Sequence, residues 1–188
     1  MNNNKEKDFD MKKILFALIL VLALLAPMFA MAAGSSFVVT SDTIYTADVG
    51  GDTLETSRAI VLTFTADASN ASIPALTIGT NRAWTDGTLS GALKQPLTGW
   101  LCDYIHIDGN HAGTEPTENS DITVVSGGLD MLNAAGTDQV DNTDERDVVF
   151  SIAGYAVSAP VFGDIVVTIS NNEVNSATGT ITLLMGLK

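Results

Sequence analysis

The chain is poor in most residue types that carry chemistry. It has one cysteine, Cys102, and two histidines, His106 and His111, in 188 residues. A single cysteine closes no intrachain disulfide, so a disulfide-stapled scaffold is excluded and stability has to come from an apolar core. Lysine and arginine number 9 against 22 acids, a formal charge of −13. That balance repels phosphate backbones and anionic lipid headgroups and argues against nucleic-acid binding. No G-x-S-x-G nucleophile elbow occurs. Cys102 lies in an apolar stretch with no base beside it, as an inert core thiol does. Glu115 and Glu118 flank Pro116 in a polar loop, a poor place for a carboxylate pair whose spacing must be fixed for glycosidase chemistry. No enzyme is expected.

What is present begins with an export signal. Lys12 and Lys13 precede an apolar run from Ile14 to Ala26, Pro27 ends any helix, and Ala30-Met31-Ala32 supplies the small residues of a cleavage site. These are the three parts of a secretory signal. The expected division is residues 1–32 as polar extension plus signal and residues 33–188 as one domain. Cys102 is too far from the cut to be acylated as in a lipoprotein. After cleavage the chain keeps five cations against nineteen acids, a formal −14. It is expected to be secreted, at the cell surface or beyond it, with no membrane attachment.

The exported part shows period-2 alternation and no helical period. Ile60, Leu62 and Phe64 alternate with Val61, Thr63 and Thr65; Val148, Phe150 and Ile152 do likewise with Asp147, Val149 and Ser151. Ile165, Val167 and Ile169 form a third run, and Ile181, Leu183, Met185 and Leu187 a fourth. One set can face a core while the other is mostly Thr, Ser, Asp or small, which is the pattern of half-buried antiparallel strands. Shorter strands are expected at 37–46, 73–80, 100–107 and 122–125, with a helical turn at Leu129–Ala135. Turn residues separate the runs at Gly50-Gly51, Asp86-Gly87, Asp108-Gly109-Asn110, Gly127-Gly128 and Asn171-Asn172. The fold class is therefore all-β, a single antiparallel β-sandwich of jelly-roll type.

One part of the chain carries a recognisable pattern. It runs Pro116-Thr117-Glu118-Asn119-Ser120-Asp121-Ile122-Thr123, Leu129-Asp130-Met131-Leu132 with Gly136, Asn142-Thr143-Asp144-Glu145, Gly163-Asp164-Ile165 and Asn175-Ser176-Ala177-Thr178-Gly179-Thr180. Over residues 116–187 the chain resembles a family of uncharacterised β-sandwich proteins often encoded among phage structural genes, departing from it at Ser120, where relatives usually have an aromatic. The resemblance implies a sandwich fold and a virion-associated or surface setting, and it brings no catalytic residues.

Three groups are candidate binding residues. The acidic run Asp138, Asp141, Asp144, Glu145 and Asp147 offers oxygen ligands for calcium, though without EF-hand spacing. His106, Asp108 and His111 are metal-ligating types in a spacing that matches no zinc pattern. On an unbroken strand His106 would share a face with Trp100, Cys102 and Tyr104, as a partly buried ring. Trp84, Trp100, Tyr45, Tyr104 and Tyr155 are the aromatics available to stack on a glycan.

The N-terminal segment Ser35–Val49 is β-prone and free of Pro and Gly, so it can pair in its own sheet or add to a neighbour's. The expected function is a secreted structural protein, a subunit of a filament, surface layer or particle. It would self-associate into a homo-oligomer or polymer, with strand addition by its N-terminal segment as one route. The alternative is an extracellular binding module for glycan or calcium.

Overall fold

Alternation becomes two packed antiparallel sheets in the computed structural model, which describes residues 34–109, 113–140, 144–152 and 155–187. Asn110, His111, Asp141 and the segment expected to be an export signal lie outside the described residues. In chain order the strands are β1 (Ser36–Val49), β2 (Asp52–Thr65), β3 (Leu76–Ile78), β4 (Ala83–Thr85), β5 (Ser90–Ala92), β6 (Trp100–Asp108) and β7 (Asp121–Ser126). There follow β8 (Leu129–Asp130), β9 (Arg146–Val149), β10 (Ser151–Ile152), β11 (Tyr155–Ala156), β12 (Ala159–Pro160), β13 (Ile165–Ser170) and β14 (Thr178–Leu187). The first sheet has the order β1-β2-β14-β6-β12, with β9 also on β6. The second runs β5-β4-β3-β13-β7-β8, and β10 and β11 make a separate small hairpin. The chain crosses repeatedly between the sheets, and Ala33–Lys188 form one compact unit.

The buried set is the one the alternation dictates. Ile60, Leu62, Phe64, Ile181, Leu183 and Met185 face inward from the first sheet, and Leu76, Ile78, Ile165, Val167 and Ile169 meet them from the second. Phe37 packs edge-on against Phe64 at 6.0 Å, closing the core at the β1 side. Leu187, last of its run, is exposed. Gly50 and Gly51 (φ 66° and 93°) make the two-residue turn of the long β1–β2 hairpin. This is the primed type that requires positive φ at both central residues.

Two local readings need correction, and one polar loop is better fixed than its composition suggests. Leu129 and Asp130 form β8, paired with β7, and the turns after them hold Asn133 and Ala134 at φ 48° and 63°, which a right-handed helix does not allow. The loop after Thr114 is pinned: Thr178 N–H donates to Thr114 O at 2.8 Å and Pro116 is buried. On β6 the register passes from Leu184↔Tyr104 to Met185↔Cys102, leaving Asp103 as the extra residue of a bulge. The bulge reverses the alternation. Trp100 and Cys102 therefore face the core, whereas Tyr104 and His106 point outward, so His106 does not share their face.

A second bulge, at Thr40 of β1, turns Asp42 inward opposite Ile60. There it meets Arg58, which continues the inward row of Ile60, Leu62 and Phe64 and is 0% exposed. Arg58 Nε and Nη2 donate to Asp42 Oδ1 and Oδ2, both at 2.8 Å. The guanidinium also donates to Gln95 O at 2.9 Å and Pro96 O at 3.1 Å, and lies 5.5 Å from the Trp100 ring centroid. Asp42 Oδ2 accepts in turn from Lys94 N–H at 2.6 Å. The pair thus ties β1 and β2 to the segment between β5 and β6. Burial pushes the Asp42 carboxyl up, but the Arg58 and Lys94 hydrogen bonds outweigh it and hold its pKa below the ordinary value.

Removing one partner of a buried, hydrogen-bonded pair leaves an uncompensated charge at a cost of about 3–5 kcal/mol, while replacing both by apolar groups costs far less. Urea denaturation of Asp42→Asn and Arg58→Met should show losses of that size, and Asp42→Leu/Arg58→Met a smaller one than either. Additive single effects would refute the coupling. Because the folded pKa of Asp42 is lowered, its contribution is complete above the unfolded-state value of about 4 and disappears as pH falls through the folded one. Asp42→Asn should remove that part of the acid sensitivity.

Candidate functional site

Beyond the Arg58 pair the β1–β2 hairpin leaves the sandwich. β14 follows β2 only from Thr65 to Ser57, so Asp52–Glu55 pair with β1 alone, Thr56 being the extra residue of a bulge. Residues 45–56 are thus a two-stranded arm. Its register (Tyr45↔Ser57, Ala47↔Leu54, Val49↔Asp52) sets Tyr45, Ala47, Val49 and Leu54 on one face, with Ser57 and Asp52 beside them. Thr46, Asp48, Thr53 and Glu55 occupy the other. Tyr45, Val49 and Leu54 are 52%, 57% and 51% exposed, so about half of their surface is left uncovered by the described residues.

That face continues the outer side of the first sheet. There Leu184 stands between Ala59 and Tyr104, and Tyr104 stands beside Val149, forming an apolar row across four strands. Tyr104 is 37% and Val149 50% exposed. The outer sides of half-solvated sheets are ordinarily polar. Contiguous exposed apolar surface of this kind marks interaction sites. Neither the arm nor the row was singled out from the sequence. The signal was nevertheless present, since Tyr45 and Val49 share a parity and β-prone residues continue unbroken on both sides of Gly50-Gly51.

The other candidate residues are dispersed. His106 Nδ1–H donates to Asp147 Oδ1 at 2.8 Å, with Glu145 Oε2 3.7 Å from Nε2, on the outer side of β6 and β9. An exposed pair of this sort is worth about 0–1 kcal/mol. Asp108 lies farther along β6, opposite Thr180, and His111 is outside the described residues. The acidic run is divided between the sheets. Asp138 N–H donates to Asp121 Oδ1 at 2.9 Å beside β7, whereas Glu145 and Asp147 lie at β9. Asp144 is exposed just before β9, and Asp141 is outside the described residues. Among the described residues no three His, Cys, Asp or Glu side chains are gathered as a metal ion requires.

Trp100 is core, under Arg58, and Trp84 is partly buried at the edge of the second sheet. Cys102 is fully buried, and burial, with Asp103 adding to it, pushes its thiol up to about 12. Compared with known proteins, the chain matches no family model, no curated protein and no solved structure. Reactivity requires the thiolate, so an aromatic disulfide reagent at neutral pH should leave Cys102 unmodified in the folded protein and label it fully in urea. Rapid labelling without denaturant would contradict the buried placement.

Proposed function

We propose that this chain is a structural subunit that self-associates outside the cytoplasm into a filament, surface layer or particle. The observation that carries the reading is the arm, whose apolar face projects past its own sandwich. The occupant of that face is a second copy, because the row Leu184–Tyr104–Val149 offers apolar surface of the same kind. An arm of one copy laid on the row of the next is a heterologous contact, and such contacts propagate into rings or filaments. Strand addition fits the same scheme. β1 is registered with β2 along its length, so a neighbour would add at the outer edge of β1 without withdrawing the strand from its sheet. The resemblance to sandwich proteins encoded among phage structural genes supports an assembly setting, and the export signal supports an extracellular one. The reading assigns no catalytic residue.

Fully burying side chains of this size contributes about 1.5–3 kcal/mol each, so half-exposed Tyr45, Val49 and Leu54 contribute on the order of 3 kcal/mol together. Tyr45→Asp/Val49→Asp/Leu54→Asp should then weaken association roughly 100-fold or more, with thermal unfolding unchanged. Sedimentation velocity and negative-stain microscopy of Ala33–Lys188 over a concentration series provide the measurement. Tyr104→Asp/Val149→Asp should fail in the same way, and mixing the two variants should restore one contact and yield a dimer. A wild-type protein that stays monomeric at its highest soluble concentration sinks the proposal. Mixing without recovery sinks the arm-on-row geometry.

A further inference from the structure

At one edge of the second sheet, β3, β4 and β5 surround a depression of about 400 Å³. That is near the lower end of the roughly 300–1,000 Å³ typical of small-molecule sites. The Trp84 indole forms one wall, and the polar side chains around it are Thr77, Asn81, Thr85, Ser90 and Asp164. Two glycines make the shape possible. A Cβ on Gly91 would lie 2.6 Å from Trp84 Nε1 and Cε2, so only glycine lets the ring lie against β5. A Cβ on Gly79 would lie 2.7 Å from Asn81 Oδ1 and 3.6 Å from Asp164 Oδ1, so those two side chains converge over the space it leaves open.

The polar groups are held in place but not used up. Asn81 Oδ1 accepts from Ala83 N–H at 3.2 Å and Asp164 Oδ1 from Thr80 N–H at 3.0 Å. The Asn81 amide N–H2, Asp164 Oδ2, the Ser90 hydroxyl and Trp84 Nε1–H have no hydrogen-bond partner among the described residues. The same indole borders a second depression of about 220 Å³ against Thr40 and Lys94, so solvent reaches it from two sides.

The geometry points to a binding site for a neutral saccharide of one or two rings. An aromatic wall suits the C–H face of a pyranose, and neighbouring hydroxyl, amide and carboxylate groups suit its hydroxyls, in the usual arrangement of apolar lining with a few placed polar groups. The Asp164 carboxylate and the −14 charge of the exported part disfavour an anionic sugar. One carboxylate among neutral donors and acceptors, beside one ring rather than a cage, distinguishes the site from a receptor for a quaternary ammonium ion.

The test follows the two indole N–H resonances of ¹⁵N-labelled Ala33–Lys188 while di- and trisaccharides of glucose, galactose, mannose and N-acetylglucosamine are added. One member of the panel should move the Trp84 resonance saturably, with a Kd of about 1 mM or tighter, and leave Trp100 in place. Ser90→Lys, which fills the depression from an exposed position on β5, should abolish the response while the rest of the spectrum is preserved. A flat titration across the panel overturns the proposal, as does a response that survives Ser90→Lys. A shift produced only by tetramethylammonium or by an oligogalacturonate overturns the ligand class.

Discussion

The Asp42–Arg58 pair is the constraint on which the rest of the molecule depends. Sandwiches close their ends with loops and large apolar groups, but here the last inward position of β2 is a guanidinium. Taking both charges out of water is costly, and the cost is offset only because the guanidinium finds four acceptor atoms and an aromatic face, and the carboxylate a third donor in Lys94 N–H. A pair of that kind contributes less to stability than to uniqueness. It forces the bulge at Thr40, since any other register would turn Asp42 to solvent and strand Arg58 inside. It also fixes where Leu93–Leu97 cross the open end of the sandwich, with Leu93 and Leu97 buried behind it.

The arm follows from this constraint. Up to Arg58 the hairpin has an inward face committed to the core, and beyond it both faces meet water. Two strands alone in solvent are marginal, so an arm continuing a rigid sheet is pre-organised at its root and has surface to spare at its tip. Gln95 Nε2 donating to Glu55 Oε1 at 2.7 Å steadies that root from the crossing segment. Of the arm's acids, Asp52 shares the apolar face with Val49, and Asp48 and Glu55 stand on the opposite face. On a protein of this net charge they oppose association, and since salt at physiological ionic strength screens mainly those charges more than about 8 Å apart, the attraction must be carried by desolvated apolar surface at close range.

Most of the sheet framework was legible because period-2 alternation is a direct record of which side of a pleat is buried. Ile60–Phe64, Ile165–Ile169 and Ile181–Met185 are inward where the pattern puts them. What alternation cannot record is a change of phase. The extra residue at Asp103 moves His106 to the outer side, and the one at Thr40 brings Asp42 in. The three-residue strands β3, β4 and β5 are too short to show a period at all, so the depression they enclose had no signature beyond Trp84 itself. Arg58 was findable: it occupies the phase of Ile60, Leu62 and Phe64, and an arginine there demands an acid.

The acidic composition also acquires a structural meaning. Asp86 Oδ1 accepts from Thr88 N–H at 2.8 Å and Leu89 N–H at 2.6 Å, and its Oδ2 accepts from Phe37 N–H at 3.1 Å, joining a turn of one sheet to the edge strand of the other. Asp67 Oδ1 accepts from Ser69 and Asn70 N–H, Asp48 Oδ1 from Gly51 N–H, and Asp130 from Leu132 and Ala134 N–H. Short carboxylates satisfy turn amides that no strand can reach, and a chain with many turns and no disulfide has many such amides. Burial pushes the Asp86 carboxyl up, yet its amide donors prevail and hold it below its usual range; Asp67, bonded by Ser69, is lowered as well. Each of these carboxylates is most useful ionised. The negative charge that a reader of composition assigns to solubility or to cations is thus, in part, the hydrogen-bond currency of the turns, and it ties the stability of the sandwich to a medium that is not acidic.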